Sequence, residues 1–142
     1  MKEIGLVSCT KTKHDYKATP KDLYMKSDLF KKMRAYCERY HNEWYILSAK
    51  YYLLEPDGDK IEPYDETLRG AKAFKKKEWS KKVFEQLRKR NLLSNTLIIH
   101  AGKDYYQYLL PLLKENNVQF KIPTQHLGIG QKKAWYKKKL KS

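Results

Sequence analysis

Three short apolar runs in this chain each end abruptly in a polar, lysine-bearing segment, and what lies between them reads as helix. Ile4–Val7 runs into Ser8-Cys9-Thr10-Lys11-Thr12-Lys13, and Trp44–Leu47 into Ser48-Ala49-Lys50-Tyr51. Leu97–Ile99 runs into His100-Ala101-Gly102-Lys103-Asp104. A continuous apolar run of that length is expected of a strand covered on both faces. Between them, Leu29, Met33, Tyr36, Cys37 and Tyr40 recur at helical spacing after Ser27-Asp28, an N-cap signal. A longer basic helix is expected over about residues 71–90, with Phe74, Val83, Phe84 and Leu87 inward. A fourth strand, Gln119–Ile122, leads to Pro123 and a last helix from about Ile129 to Leu140.

This alternation predicts a single three-layer α/β domain over residues 1–142, with a four-stranded, mostly parallel sheet and helices on both faces. Right-handed crossovers restrict the strand order, and 2-1-3-4 is the expected one. The switch point then lies between the first and third strands, where open sheets bind ligands beyond their carboxyl ends. Pro111 is expected to kink or split the helix predicted over Tyr105–Lys114. Two prolines and Asp57-Gly58 exclude regular helix from Leu53–Asp65, and so long a loop in a small domain argues for function.

Charge narrows the partners. Thirty-one Lys and Arg against 16 Asp and Glu leave a formal charge of +15. An excess of that size repels itself in the folded state and suits an anionic partner. Nucleic acid fits first, DNA ahead of RNA; a membrane partner is not expected, nor an oligomer beyond a monomer or weak dimer. Lys76, Lys82 and Lys89 on the long helix, with Lys132 and Lys133 on the last one, are the candidate contacts of a phosphate-tracking surface, or simply solvated faces. Two cysteines are too few for a disulfide framework, and Cys37 reads as a core residue. Neither CxxC nor HxxxH spacing is present, so no metal and no cofactor is expected. No apolar run approaches the roughly 20 residues of a bilayer span. The N-terminus enters a strand at once, without a signal peptide, so a cytoplasmic location is expected.

The candidate site residues follow the strands. Ser8, Cys9, Lys11 and Lys13 can aim hydroxyl, thiol and ammonium groups at one phosphate, or form a solvated loop. Ser48 and Lys50 follow the second strand; Lys50 is either a phosphate contact or a Schiff-base nucleophile. Tyr64 and Asp65 follow Pro63, and Asp65 is either a catalytic carboxylate or a cap near Thr67. His100 is either a donor to a developing anion or a structural histidine. Gly102 permits close backbone approach, and of Tyr105 and Tyr106 at most one is free to stack on a base. Gln125 and His126 lie in a turn that Gly128 and Gly130 are expected to tighten before the last helix, a phosphate-compatible N-terminus or an ordinary left-handed turn.

The run Leu6–Lys13, then Leu47–Tyr51 with Leu54-Glu55-Pro56 and Glu62–Asp65, then His100-Ala101-Gly102 with Tyr105-Tyr106, resembles the YaaA-type peroxide-stress proteins and their short relatives. That resemblance implies DNA binding and a role in limiting oxidative DNA damage. The expected strand order also resembles the uracil-DNA glycosylase superfamily, which implies chemistry on an N-glycosidic bond. The expected function is therefore a nucleic-acid-binding protein that handles a base or nucleotide in a strand-end crevice. If it is an enzyme, Asp65 serves the cationic sugar, and His100 or His126 the departing base. The alternatives are a non-catalytic binding module and an enzyme acting on a free nucleotide.

Overall fold

The computed structural model describes residues 2–142. Strand β1 (Glu3–Ser8) is central and fully covered from Ile4 onward. It is flanked by β2 (Glu43–Ser48) and β4 (Thr96–His100), both parallel to it, and β4 carries the short parallel β5 (Phe120–Lys121). These four strands stand in the expected order. The sheet has a fifth strand that the sequence reading omits: β3 (Tyr52–Leu54) turns back antiparallel along β2, giving the order β3-β2-β1-β4-β5. Three residues are too few to show alternation, and the turn into β3 depends on Tyr52 at φ 65°. Leu53 donates its N–H to the Gln86 side chain at 2.8 Å, so the helix behind this edge satisfies part of it.

Alternation along the strands sorts the two faces. Ile4 and Leu6 of β1, with Leu97 and Ile99 of β4, meet α3 (Ala73–Lys89) and α5 (Leu109–Glu115) through Val83, Leu87, Leu109 and Leu113. Val7 and Ile46 face α2 (Asp28–Tyr40) and α6 (Ile129–Leu140) through Phe30, Met33, Cys37 and Tyr136. Each fully buried side chain of this size contributes about 1.5–3 kcal/mol relative to exposure. Ser27 caps α2 by accepting the Phe30 N–H at 3.1 Å, as its sequence position predicts. Phe74 departs from expectation at 68% exposure, because it lies in the first turn of α3, before the inward stripe that starts at Trp79.

The expected split at Pro111 occurs two residues earlier. α4 (Lys103–Tyr106) stops and α5 restarts at Leu109, which places Pro111 in a first turn, where its missing N–H is harmless. The stretch before α2 contains α1 (Pro20–Leu23) and a two-way backbone bridge: Ala18 and Ile61 exchange N–H···O bonds of 3.2 and 2.8 Å. That bridge ties the loop after β1 to the loop after β3. It explains how Tyr64 and Asp65, far along a coil, return to the sheet edge.

Candidate functional site at the carboxyl edge of the sheet

Parallel strands β1, β2 and β4 deliver Cys9, Ser48 and Gly102 to a common edge. Cys9 extends the ladder by donating its N–H to Leu47 O at 2.9 Å. Its Sγ accepts the Ala49 N–H at 3.4 Å and lies 3.3 Å from the Tyr105 hydroxyl. Trp79 packs edge-on against Tyr105, with centroids 5.6 Å apart, and donates its indole N–H to Ser48 O at 2.8 Å. α3 thus holds both Tyr105 and the end of β2.

Ser48 is the hub. Its Oγ accepts the N–H groups of Lys50 (3.2 Å) and Tyr51 (2.9 Å), which occupy both lone pairs. Its own proton therefore goes to Tyr64 Oη at 2.7 Å, and Tyr64 donates onward to Tyr24 Oη at 2.6 Å. Burial raises the pKa of Tyr64 and Tyr24 well above the usual phenol value, so the chain of hydroxyls stays neutral. Over it sits Lys13, with Nζ 4.6 Å from the Tyr64 ring centroid and 5.8 Å from that of Tyr24. Burial lowers the Lys13 pKa, against the opposing fields of Cys9, Asp65 and Glu66.

Asp65 and Glu66 form the exposed acidic rim. Asp65 caps no helix: Thr67 Oγ1 accepts the Arg69 N–H itself, and α3 begins only at Ala73. Lys50 lies outside this cluster, in a 3.7 Å surface pair with Glu66. Ser8 is buried within the strand end, and Lys11 is exposed, its carbonyl accepting Lys13 Nζ at 3.3 Å.

A concavity opens on the far side of α4. It is a cleft of about 380 Å³ lined by Gly102, Lys103, Tyr106, Thr124–Gly128 and Lys132. Burial lowers the pKa of Lys132 here. The turn that carries Gln125 and His126 is tight, but not through its glycines: His126 takes the left-handed conformation at φ 71°, while Gly128 caps α6 at φ −74°. The Gln131 side chain accepts the Gly128 N–H at 3.0 Å. The five strand-following segments therefore do not line one cavity. α4 divides them, with Tyr105 turned toward Cys9 and Tyr106 toward the cleft.

Three expectations are corrected. His100 is fully buried: as the alternation of β4 requires, it points beneath the sheet, where its Nε2 lies 2.9 Å from His41 Nε2 and its Nδ1 2.8 Å from Tyr136 Oη. Burial pushes its pKa down to about 3, so it is no imidazolium donor, and no contact joins it to Asp65 or Lys50 among the described residues. Lys76 is not a surface lysine; its ammonium is 2.9 Å from Asp104 and its side chain only 12% exposed. Finally, the lysines of α3 and α6 cannot form one tract, because those helices cover opposite faces of the sheet. Lys82 instead contacts Tyr52 Oη at 3.1 Å, Lys133 lies 3.8 Å from Asp28, and Lys89 is exposed near the end of α3. The sequence reading overlooked Tyr24 and Trp79, both of which read as ordinary aromatic core.

Residues 4–138, almost the whole chain, match a family model described as a family of unknown function. The chain belongs to that family, DUF6884. Neither the curated proteins nor the solved structures provide a match. For this DUF6884 chain the strand-end geometry is therefore the firmest guide to activity. No helix among the described residues is long and apolar enough to cross a membrane.

Proposed function

We propose that this chain binds nucleic acid and holds a single base or nucleotide at the carboxyl edge of its sheet. The observation that carries the reading is the half-buried Lys13 ammonium, poised over the Tyr64 ring where β1 and β2 end. A cation over an aromatic face and partly withdrawn from water is a strong partner for a phosphate, and Tyr51 packs at right angles to the Tyr64 ring beneath it. The +15 charge supplies the long-range attraction, and the likeness to YaaA-type proteins points the same way.

Binding is preferred to glycosidic chemistry. Of the groups suited to that reaction, His100 lies beneath the sheet, Lys50 in a surface ion pair, and His126 across α4 from Asp65. The test is a titration with single-stranded and duplex DNA across a salt series. Each phosphate contact should steepen the fall of log K against log salt by about 0.9 on duplex. Lys13→Ala should weaken binding. A flat salt response, or no binding at low salt, would remove nucleic acid as the partner, and tight binding of a mononucleotide alone would make the ligand a free nucleotide.

A further inference from the structure

Beneath the sheet, the last turn of α2 and the end of β4 bring together three metal-ligating groups that the strand-end site does not use. Cys37 and His41 stand four residues apart and so share a side of the helix end, while alternation in β4 turns His100 toward them. The Cys37 Sγ and one ring nitrogen from each histidine all lie within 4.8 Å of one another. Cys37 and His100 have no exposure, and the His41 side chain has 3%. The pairing is invisible to motif spacing, since the third group lies 59 residues beyond the second.

What distinguishes this cluster from a core cysteine beside a histidine pair is its outer layer. His41 and His100 face each other through Nε2 at 2.9 Å, and each carries a partner behind it. The Tyr136 hydroxyl is 2.8 Å from His100 Nδ1. His41 Nδ1 is buried without a hydrogen bond, and the nearest acceptor is a Glu3 carboxylate oxygen at ion-pair distance, 3.4 Å. A carboxylate only accepts, so its charge favours the His41 tautomer with the proton on Nδ1 and the Nε2 lone pair inward. Metal-bound histidines are oriented by outer partners of this kind. β1 makes room as well: a Cβ at Gly5 would come within 2.8 Å of His41 Cδ2 and 2.9 Å of Cys37 Sγ.

We propose that Cys37, His41 and His100 form a site for a thiophilic d10 cation, Zn²⁺ or Cu⁺, that ties the end of α2 to β4. On binding, the Cys37 thiol gives up its proton to solvent and the thiolate coordinates. The two Nε2 lone pairs coordinate alongside it, with the His100 proton on Nδ1 facing the Tyr136 oxygen. One thiolate leaves a bound Cu⁺ neutral and a bound Zn²⁺ at +1, and the nearby Glu3 carboxylate offsets the latter. At metal–nitrogen distances of about 2.0–2.1 Å, two tetrahedral ligand nitrogens stand about 3.3 Å apart, so the imidazoles need separate by only roughly 0.4 Å. Thiolate with imidazole selects zinc and copper over harder ions.

The full chain, stripped with a chelator under reducing conditions, is titrated with Co²⁺ as a spectroscopic stand-in, and protein as purified is measured for zinc and copper by mass spectrometry. The expected result is one equivalent of Co²⁺ with a thiolate-to-cobalt charge-transfer band, and a higher Tm once Zn²⁺ or Cu⁺ is restored. Cys9→Ser should keep the band and Cys37→Ser should lose it. Glu3→Gln should weaken affinity by about 10–100-fold, as outer-partner changes do. The element found distinguishes zinc from copper. Absence of the band in wild-type protein, or its loss in Cys9→Ser, overturns the site even if Cys37→Ser does not fold.

Discussion

Two clusters in this molecule each set a cysteine beside tyrosine hydroxyls and meet opposite fates. At the carboxyl edge, Cys9, Ser48, Tyr64, Tyr24 and Tyr105 join through hydroxyl and thiol contacts beneath a lysine, with an acidic rim open to water. Under the sheet, His41, His100 and Tyr136 are joined through ring nitrogens with Cys37 Sγ within 4.8 Å of both histidines, and Tyr36 and Trp135 pack around them within the α2–α6 layer. His100 and Lys50 come at comparable places in the chain, at or just beyond a strand end. Strand alternation sends one beneath the sheet, and the turn into β3 sends the other to the surface. Proximity to a strand end therefore nominates a residue, and depth beneath the helices decides whether it meets a ligand: Cys9 and Tyr64 share the α2 side of the sheet with Cys37 and Tyr136 but keep a little exposure.

The sharpest way to test that division is acid. Burial depresses both histidines, His100 to about pKa 3, so between that value and the unfolded value near 6.5 the unfolded chain binds more protons than the folded one. Stability of the metal-free protein should be level above about pH 6.5 and fall steadily below it. Urea midpoints at a series of pH values measure this, and a level profile down to pH 4.5 would mean that the pair is not sealed.

Ser48→Ala should produce the next largest effect. It removes the acceptor of two backbone N–H groups and the partner of Tyr64, each worth about 1–3 kcal/mol when left unpaired in a buried place. A loss of roughly 2–4 kcal/mol by denaturant unfolding is expected. A loss below about 1 kcal/mol would show that water replaces the hub and that the edge is wetter than its contacts imply.

At Lys13 the readout is ligand affinity rather than folding. Lys13→Ala should weaken oligonucleotide binding about tenfold, in line with about 1.5 kcal/mol for a hydrogen bond to a charged group. Because burial lowers its pKa, wild-type affinity should begin to fall at a lower pH than an ordinary lysine would cause. Lys13→Arg should move that fall to higher pH, and identical pH profiles for the two proteins would take Lys13 out of the site.

The smallest effects belong to the exposed helix lysines. Lys82→Glu or Lys89→Glu should change the salt slope by about 1 if that lysine touches phosphate, and leave stability within about 0.5 kcal/mol. Lys76→Glu should behave differently, reducing stability through its partner Asp104. Equal behaviour of all three would mean that the α3 face binds as one surface.

Four of the five strands, their parallel pairing and the main helices were legible because apolar runs and helical spacing are local signals. The N-cap at Ser27 and the interruption near Pro111 were legible for the same reason. β3 was not, being three residues long and dependent on one left-handed tyrosine. Within the site, Cys9, Ser48, Lys13 and Tyr105 were legible as strand-following residues, and Tyr64 through the Pro63 turn of the long loop. Tyr24 and Trp79 were hidden because an aromatic with one hydrogen bond to a distant strand has the same local pattern as one that only packs.

The amino-acid sequence by itself determined the alternation of strands and helices, the crowding of polar and basic residues beyond the strand ends, and the strong positive charge. Period and composition are properties of neighbours in the chain. Only the tertiary structure decided that α4 splits the strand-end residues into a tyrosine-lined cluster and a separate cleft, and that His100 belongs with Cys37 and His41. Those outcomes rest on contacts between residues dozens of positions apart, set by how strand register and helix packing meet.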